Sequence, residues 1–312
     1  MTRRQADLGL VGLTMIWGTT FAVVHQAVAE FPVFAFLALR FGIASAVILP
    51  WLLRHRRETM QSLGSGAVLG TLLFGGFTTQ TQGLAWTTPS RAGFITGLSV
   101  VLVPIVATLV GQKPPRRALL GVILAFIGLT VVSFGCALPL FGCAIETAAG
   151  SMRLAGDAFV LACAVIFAFH IVAVSHWAPR RPVLALNGVQ MIVVTMLAAA
   201  SAAIAQRPKL PPPPGVIIAA VFLGIVATTL ALALWLAFQR QTTSTHAALI
   251  FSLEPVFAAL FSRVWIGEVV TSAVWIGGAL MIMGVVLAET PPPRSMRGFR
   301  LTRWLSDDPM TR

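Results

Sequence analysis

The sequence contains no tyrosine, only three cysteines and only ten acidic side chains in 312 residues, and charged residues of both signs make up 10% of it. Each scarcity excludes something. A soluble domain of this length needs charge interleaved with its apolar residues, and that pattern is missing. Short alternating strands are missing as well, which removes a membrane barrel. No His, Cys, Asp or Glu pair has metal-ligand spacing, so neither a metal nor another cofactor is expected. Clustered His and Asp, or Ser facing Lys or His, are also lacking, so no catalytic residue is assigned and an enzyme is not expected. Cys163 falls mid-helix and reads as packing, whereas Cys136 and Cys143 flank the loop after the fifth apolar block. That pair admits two readings, a bridge in an oxidising compartment or two unpaired small residues. With no tyrosine, Phe and Trp must supply any aromatic wall.

What is present is apolar residue, 57% of the chain, at a mean hydropathy of +0.88. A hydrocarbon core of ~30 Å needs about 20 apolar residues per helix. Ten such blocks occur: 8–29, 32–53, 65–86, 92–111, 118–138, 155–177, 183–205, 215–238, 247–264 and 270–288. The ninth is the shortest and carries Glu254. The net charge of +12 points to the membrane and not to nucleic acid, because Lys and Arg collect in alternate loops. Arg54, Arg56, Arg57, Lys113, Arg116, Arg117, Arg180, Arg181 and Arg240 share one side with the basic termini. The opposite side holds only Arg91, Arg153, Arg207, Lys209 and Arg263. Both termini are therefore expected in the cytoplasm of a bacterium, with the chain multi-pass in its inner membrane. The first block is longer than the apolar region of a typical signal peptide and reads as a retained helix.

The polar stretch near mid-chain divides the ten blocks into five and five. An odd number forces the second half into the opposite orientation, which makes an inverted repeat. The expected organisation is a first repeat at 8–138, a periplasmic linker at 139–153, a second repeat at 154–288 and a basic cytoplasmic tail at 289–312. Thr87, Thr88, Ala92, Ile95 and Leu98 align with Thr242, Thr243, Ala247, Ile250 and Leu253, and both stretches open the fourth helix of their half. Each of these helices then carries a proline, Pro104 or Pro255, which leaves a backbone carbonyl without its donor. Interrupted helices at matching places are a pointer to a transport site. In the tail, Arg294, Arg297, Arg300 and Arg303 interleave with Phe299, Leu301, Trp304 and Leu305, which suits either a segment lying on anionic lipid or a topogenic tail.

Several ordered motifs resemble the EamA-type transporters of the drug/metabolite transporter superfamily. They are Trp17-Gly18-Thr19-Thr20-Phe21, Leu39-Arg40-Phe41, Ser90 to Leu98 with Val103-Pro104, Gly156-Asp157, Leu253-Glu254-Pro255-Val256 with Gly267-Glu268, and Gly277-Gly278-Ala279-Leu280. The resemblance runs from about Leu8 to Ala288. It implies an all-α polytopic membrane protein with ten transmembrane helices in two inverted five-helix repeats around a central cavity, working by alternating access. It also implies a small-molecule substrate such as an amino acid or related metabolite, moved mostly outward. The lack of tyrosine departs from family cavities that use aromatic hydroxyls.

The candidate cavity residues are Trp17, Thr20, Arg40, Gln80, Gln82, Thr96, His170, Gln190, Trp235, Phe251 and Glu254, with Gly18, Pro104 and Pro255 as gating or helix-break positions. A charge at the depth of Arg40 costs roughly 2.5–3.5 kcal/mol on insertion scales, so it needs a partner. It is either a counter-charge for a carboxylate, with Glu254 as one candidate, or a side chain that snorkels or braces a helix end. Glu254 is either a proton carrier that couples transport to the proton gradient or a structural hydrogen-bonder at a broken helix. His170 is either a relay or substrate contact, or a satisfied interhelical contact. The glutamines must face protein or a wet cavity. Beyond substrate and lipid bilayer no partner is expected, and the chain reads as a monomer or weak dimer. The alternatives to a transporter are a non-transporting sensor or assembly protein and, last, an intramembrane enzyme.

Overall fold

The computed structural model describes residues 3–111, 116–134, 149–206, 208, 210–239, 250–251 and 253–289. Among them the regular structure is entirely helical. In chain order the helices are α1 (Arg3–Glu30), α2 (Val33–Arg54), α3 (Arg56–Leu84), α4 (Pro89–Gly97), α5 (Ser99–Leu109), α6 (Arg116–Phe134), α7 (Ala149–Trp177), α8 (Val183–Ala205) and α9 (Pro214–Phe222). A π-helical segment (Leu223–Leu230) follows, then α10 (Ala231–Gln239), α11 (Glu254–Trp265) and α12 (Ser272–Glu289). Six helical stretches are long and apolar enough to cross a membrane: Leu8–Glu30, Val33–Arg54, Pro89–Leu109, Met152–Trp177, Val183–Ala205 and Pro214–Phe238. The other four apolar blocks of the sequence fall on α3, α6, α11 and α12. There α3 is diluted by Thr78 to Gln82, and α11 contains 12 residues. Cys136, Cys143, the linker's first residues and the basic tail lie outside the described residues.

Proline and glycine set many of the boundaries. Pro32 and Pro182 precede α2 and α8, and Pro89, Pro214 and Pro255 sit in the first turns of α4, α9 and α11. A first-turn proline gives up an N–H that has no helical partner anyway. Gly111 after α5 and Gly267 after α11 have φ of 88° and 67°, the left-handed turn that ends a helix and suits glycine. The start of α2 is capped from afar, with Gln206 Oε1 accepting from the Phe34 and Ala35 amides at 3.0 and 3.2 Å.

Packing is by pairs. α3 lies against α7 and α8, α2 against α8, α1 and α4 against α11, and α6 against α12. Small residues permit the closest crossings. A Cβ on Gly83 of α3 would fall 2.7 Å from the Gly156 carbonyl of α7 and 3.1 Å from the Val160 nitrogen. Backbone cannot swing aside as a side chain does. Gly83→Val is therefore expected to cost about 1–3 kcal/mol, the range for overpacking, read as a lowered unfolding midpoint in detergent. An unchanged midpoint would show that α3 and α7 are free to separate.

Candidate functional site

Two short breaks organise the centre of the molecule. Between α4 and α5 the chain takes one tight turn at Leu98, whose amide donates to the Ile95 carbonyl at 3.1 Å. Before α11 the same turn occurs at Leu253, whose amide donates to the Ile250 carbonyl, also at 3.1 Å. After each break the new helix starts alike: Val101 and Leu102 donate to Leu98, and Val256 and Phe257 donate to Leu253. Pro255 stands one turn-start after its break, whereas Pro104 lies inside α5, six residues beyond the turn at Leu98. The breaks meet face to face, since a Cβ on Gly97 would stand 2.8 Å from Pro255 Cγ. Gly18 lets α1 press onto the same place, because a Cβ there would come 2.5 Å from Phe257 Cβ and 3.1 Å from the Glu254 carbonyl.

Beside this junction lies a cavity of about 80 Å³, room for a few waters. Nine of the eleven candidate cavity residues line it: Trp17, Thr20, Arg40, Gln80, Thr96, His170, Trp235, Phe251 and Glu254. Gln82 and Gln190 are not on its wall. Gln190 is fully buried behind His170, its Oε1 accepting from the ring's Nε2 at 3.2 Å, so it stands one layer behind the wall. Gln82 is two residues from Gln80, and positions i and i+2 of a helix do not share a face. The sequence reading missed Leu73, Phe77 and Phe167, which complete the wall together with Gly97, Ser99, Ile171 and Leu232. Leu73, Phe77 and Gln80 are spaced by four and three, so helical phase from Gln80 was the available signal.

One side of the cavity is aromatic. Trp17, Trp235 and Phe251 pack in a triangle with ring centroids 5.4–5.8 Å apart. The other side carries Arg40, which is 2% exposed. Its Nε donates to Thr228 Oγ1 at 2.9 Å, and its guanidinium lies 4.6 Å from the centre of the Phe77 ring. Of the alternatives open for Arg40, an ion pair with Glu254 is not formed in this structure: both side chains line the cavity, but Arg40 is held by Thr228 and the aromatic face instead. A hydroxyl and a ring orient the guanidinium without neutralising it.

The π-helical segment supplies several of these partners. A wide turn of i→i+5 bonds loosens the ladder and presents carbonyls to neighbours. The Trp17 indole donates to the Ala227 carbonyl at 3.0 Å, and Asn187 Nδ2 donates to the Thr229 carbonyl at 3.1 Å. Nothing in the local sequence, which has no proline, marks this segment.

A second polar cluster ties down the start of α4. Asp157 of α7 accepts from Thr87 Oγ1 at 2.7 Å and forms an ion pair with Arg91. Glu268, just after α11, accepts from both the hydroxyl and the amide of Ser90. Asp157 and Glu268 thus hold the same first turn of α4 through the neighbouring residues Arg91 and Ser90.

The EamA-like transporter family model matches residues 4–134 and again residues 154–290. The chain belongs to the EamA-like transporter family. It is a multi-pass membrane protein that carries a small molecule, and not an enzyme. An uncharacterized transporter of Archaeoglobus fulgidus is 34% identical to this EamA-like chain, over 92% of it and 86% of the relative. An uncharacterized transporter of Bacillus subtilis is 26% identical, over 90% and 92%. A protein of Salmonella typhimurium named as a probable amino-acid metabolite efflux pump is 24% identical, over 97% and 98%. A protein of known crystal structure shares the fold of this EamA-like chain, with a TM-score of 0.65 at 24% identity, covering 92% of this chain and 97% of the other.

Proposed function

We propose that this EamA-like protein exports amino acids or related small metabolites across a bacterial inner membrane by alternating access between two inverted five-helix repeats, 8–138 and 154–288. The observation that carries the substrate class is the cavity wall. It offers a guanidinium and a carboxyl, Arg40 and Glu254, with an aromatic triangle beside them. That combination suits a zwitterion with an apolar side group. The name of the Salmonella relative agrees with this class and with outward movement.

The inverted repeat is supported by how the helices pair. Counting α4 with α5 as one span, and α9, the π-helical segment and α10 as another, gives ten spans. Advancing each span by five turns the observed packing onto itself. The contact of α3 with α7 becomes that of α10 with α1, the contact of α1 with α11 becomes that of α7 with α4 and α5, and the α6–α12, α2–α8 and α4–α11 contacts map onto themselves. The matching turns at Leu98 and Leu253, and the glycines after α5 and α11, fit the same operation. The alternating Lys and Arg argue for both termini in the cytoplasm. Glu254, on the cavity wall, is the group available to carry a proton in a coupled cycle. Nothing in this cycle requires more than a monomer or a weak dimer.

At this junction Gly18, Gly97 and Pro255 stand in close contact with their neighbours across helices, so any rearrangement that admits a solute to the cavity must separate them. Proteoliposome counterflow with a panel of radiolabelled amino acids tests the reading. Flux that is abolished by Trp17→Ala and reduced by Glu254→Gln is expected. No counterflow across the panel or a wider set of metabolites would favour a sensor or assembly protein on the same fold. If the pH dependence of flux is the same in Glu254→Gln as in the parent, the proton role is removed.

A further inference from the structure

A buried chain of amides runs from the π-helical segment to the cavity. It begins at the Thr229 carbonyl, an atom that can only accept. Asn187 approaches that carbonyl at 3.1 Å, so the nearer atom of its amide must be the NH2 group. This fixes the orientation of Asn187, and its Oδ1 is turned to Gln190 at 3.2 Å. An oxygen must be met by a donor, so Gln190 presents Nε2 to Asn187 and Oε1 to the next group. That group is His170 Nε2, at 3.2 Å. Oε1 accepts, so Nε2 carries the hydrogen. Asn187 and Gln190 are fully buried and His170 is 1% exposed, which leaves no bulk water to reverse any step.

In a neutral imidazole one nitrogen bears hydrogen and the other has a lone pair. We propose that the Thr229 carbonyl, acting through Asn187 and Gln190, locks His170 as its neutral Nε2–H tautomer and leaves Nδ1 as a hydrogen-bond acceptor for the cavity it lines. The inference rests on the cavity being the solute site for its functional meaning, but the tautomer itself does not depend on transport. Asn187 and Gln190 are positioning residues: they touch no solute and act through the ring. Among the wall residues Arg40 offers donors, and Nδ1 adds a neutral acceptor to the Glu254 carboxyl. The chemistry it recognises is an N–H or O–H on the solute, such as an ammonium or a hydroxyl.

The test is nitrogen-15 NMR of the full chain, labelled at histidine, in lipid nanodiscs in alkaline buffer. The signal of His170 is assigned by its loss in His170→Gln. The expected result is one species with a protonated Nε2 and an unprotonated Nδ1. An Nδ1–H ring, or an even mixture of tautomers, overturns the proposal. Asn187→Leu frees Gln190 to rotate and is expected to convert the single species into a mixture. A pure Nε2–H ring in folded Asn187→Leu overturns the relay, because a merely structural asparagine has no hold on the tautomer. Should Asn187→Leu fail to fold, the parent spectrum still decides the first point, and Gln190→Leu, which removes the acceptor at Nε2, decides the second by the same criterion. Failure of counterflow with an intact tautomer signal would instead count against the transport reading alone.

Discussion

Replacing Arg40 with methionine is expected to lower flux about ten- to hundredfold while leaving a folded protein. Methionine keeps most of the volume and removes the charge. Hydrogen bonds to charged groups contribute about 1.5–3 kcal/mol, and about 1.4 kcal/mol corresponds to a factor of ten. The guanidinium is 2% exposed, held through Nε by Thr228 and stacked near Phe77, so its remaining N–H groups are presented in one orientation to the cavity. Arg40→Lys is expected to restore little, since an ammonium lacks the planar fork that satisfies Thr228 and a carboxylate at once. Because Arg40 is not paired with Glu254, adding Glu254→Gln to Arg40→Met should rescue neither folding nor flux. Parental flux in Arg40→Met, or rescue in the double variant, would remove Arg40 as the counter-charge.

Arg91→Met should destabilise the fold by about 3–5 kcal/mol, the usual cost of breaking a buried pair from one side. The side chains of Arg91 and Asp157 are 10% and 8% exposed, so solvent does little to screen what is left. The residual carboxylate would keep only Thr87 among its present partners. Replacing both, as Arg91→Met with Asp157→Leu, is expected to recover most of the loss, because a well-packed apolar pair often matches a buried ionic one. Chemical denaturation in detergent reads both values. Equal losses in the single and double variants would mean that the pair is not what holds α4 to α7.

The readable parts of this molecule were those written in hydropathy, charge placement and residue type. The apolar blocks at 8–29, 32–53 and 183–205 agree to within one residue at each end with the long apolar stretches Leu8–Glu30, Val33–Arg54 and Val183–Ala205 of α1, α2 and α8. Deep polar and aromatic positions such as Arg40, His170, Trp17 and Trp235 stood out because hydrocarbon tolerates them only at a cost, and the structure brings them to one wall. Phe77 and Phe167 did not stand out, since a phenylalanine is at home facing lipid or protein alike. Pro104 was visible but the turn at Leu98 was not: a proline weakens one hydrogen bond, whereas the turn is chosen by the packing of Gly97 against Pro255 on another helix. Arg40's actual partners lay beyond reach for the same reason. Thr228 is 188 residues away and is presented by a π-helical segment that no proline announces.

That segment also has an accounting of phase. A stretch wound at i→i+5 spends more residues per turn than its flanks, so α9 and α10 are not one continuous wheel. A helical wheel drawn straight from Pro214 to Gln239 therefore assigns the wrong face to everything on one side of Leu223–Leu230. One residue of an α-helix corresponds to about 100°, enough to turn Trp235 from the aromatic triangle toward a different neighbour. In an alignment of chains with this fold, a single-residue gap between positions 223 and 230 is then the mark of the wide turn rewound as ordinary α-helix, with the cavity side chains of α10 kept in phase, and not a neutral length difference in a hydrophobic run.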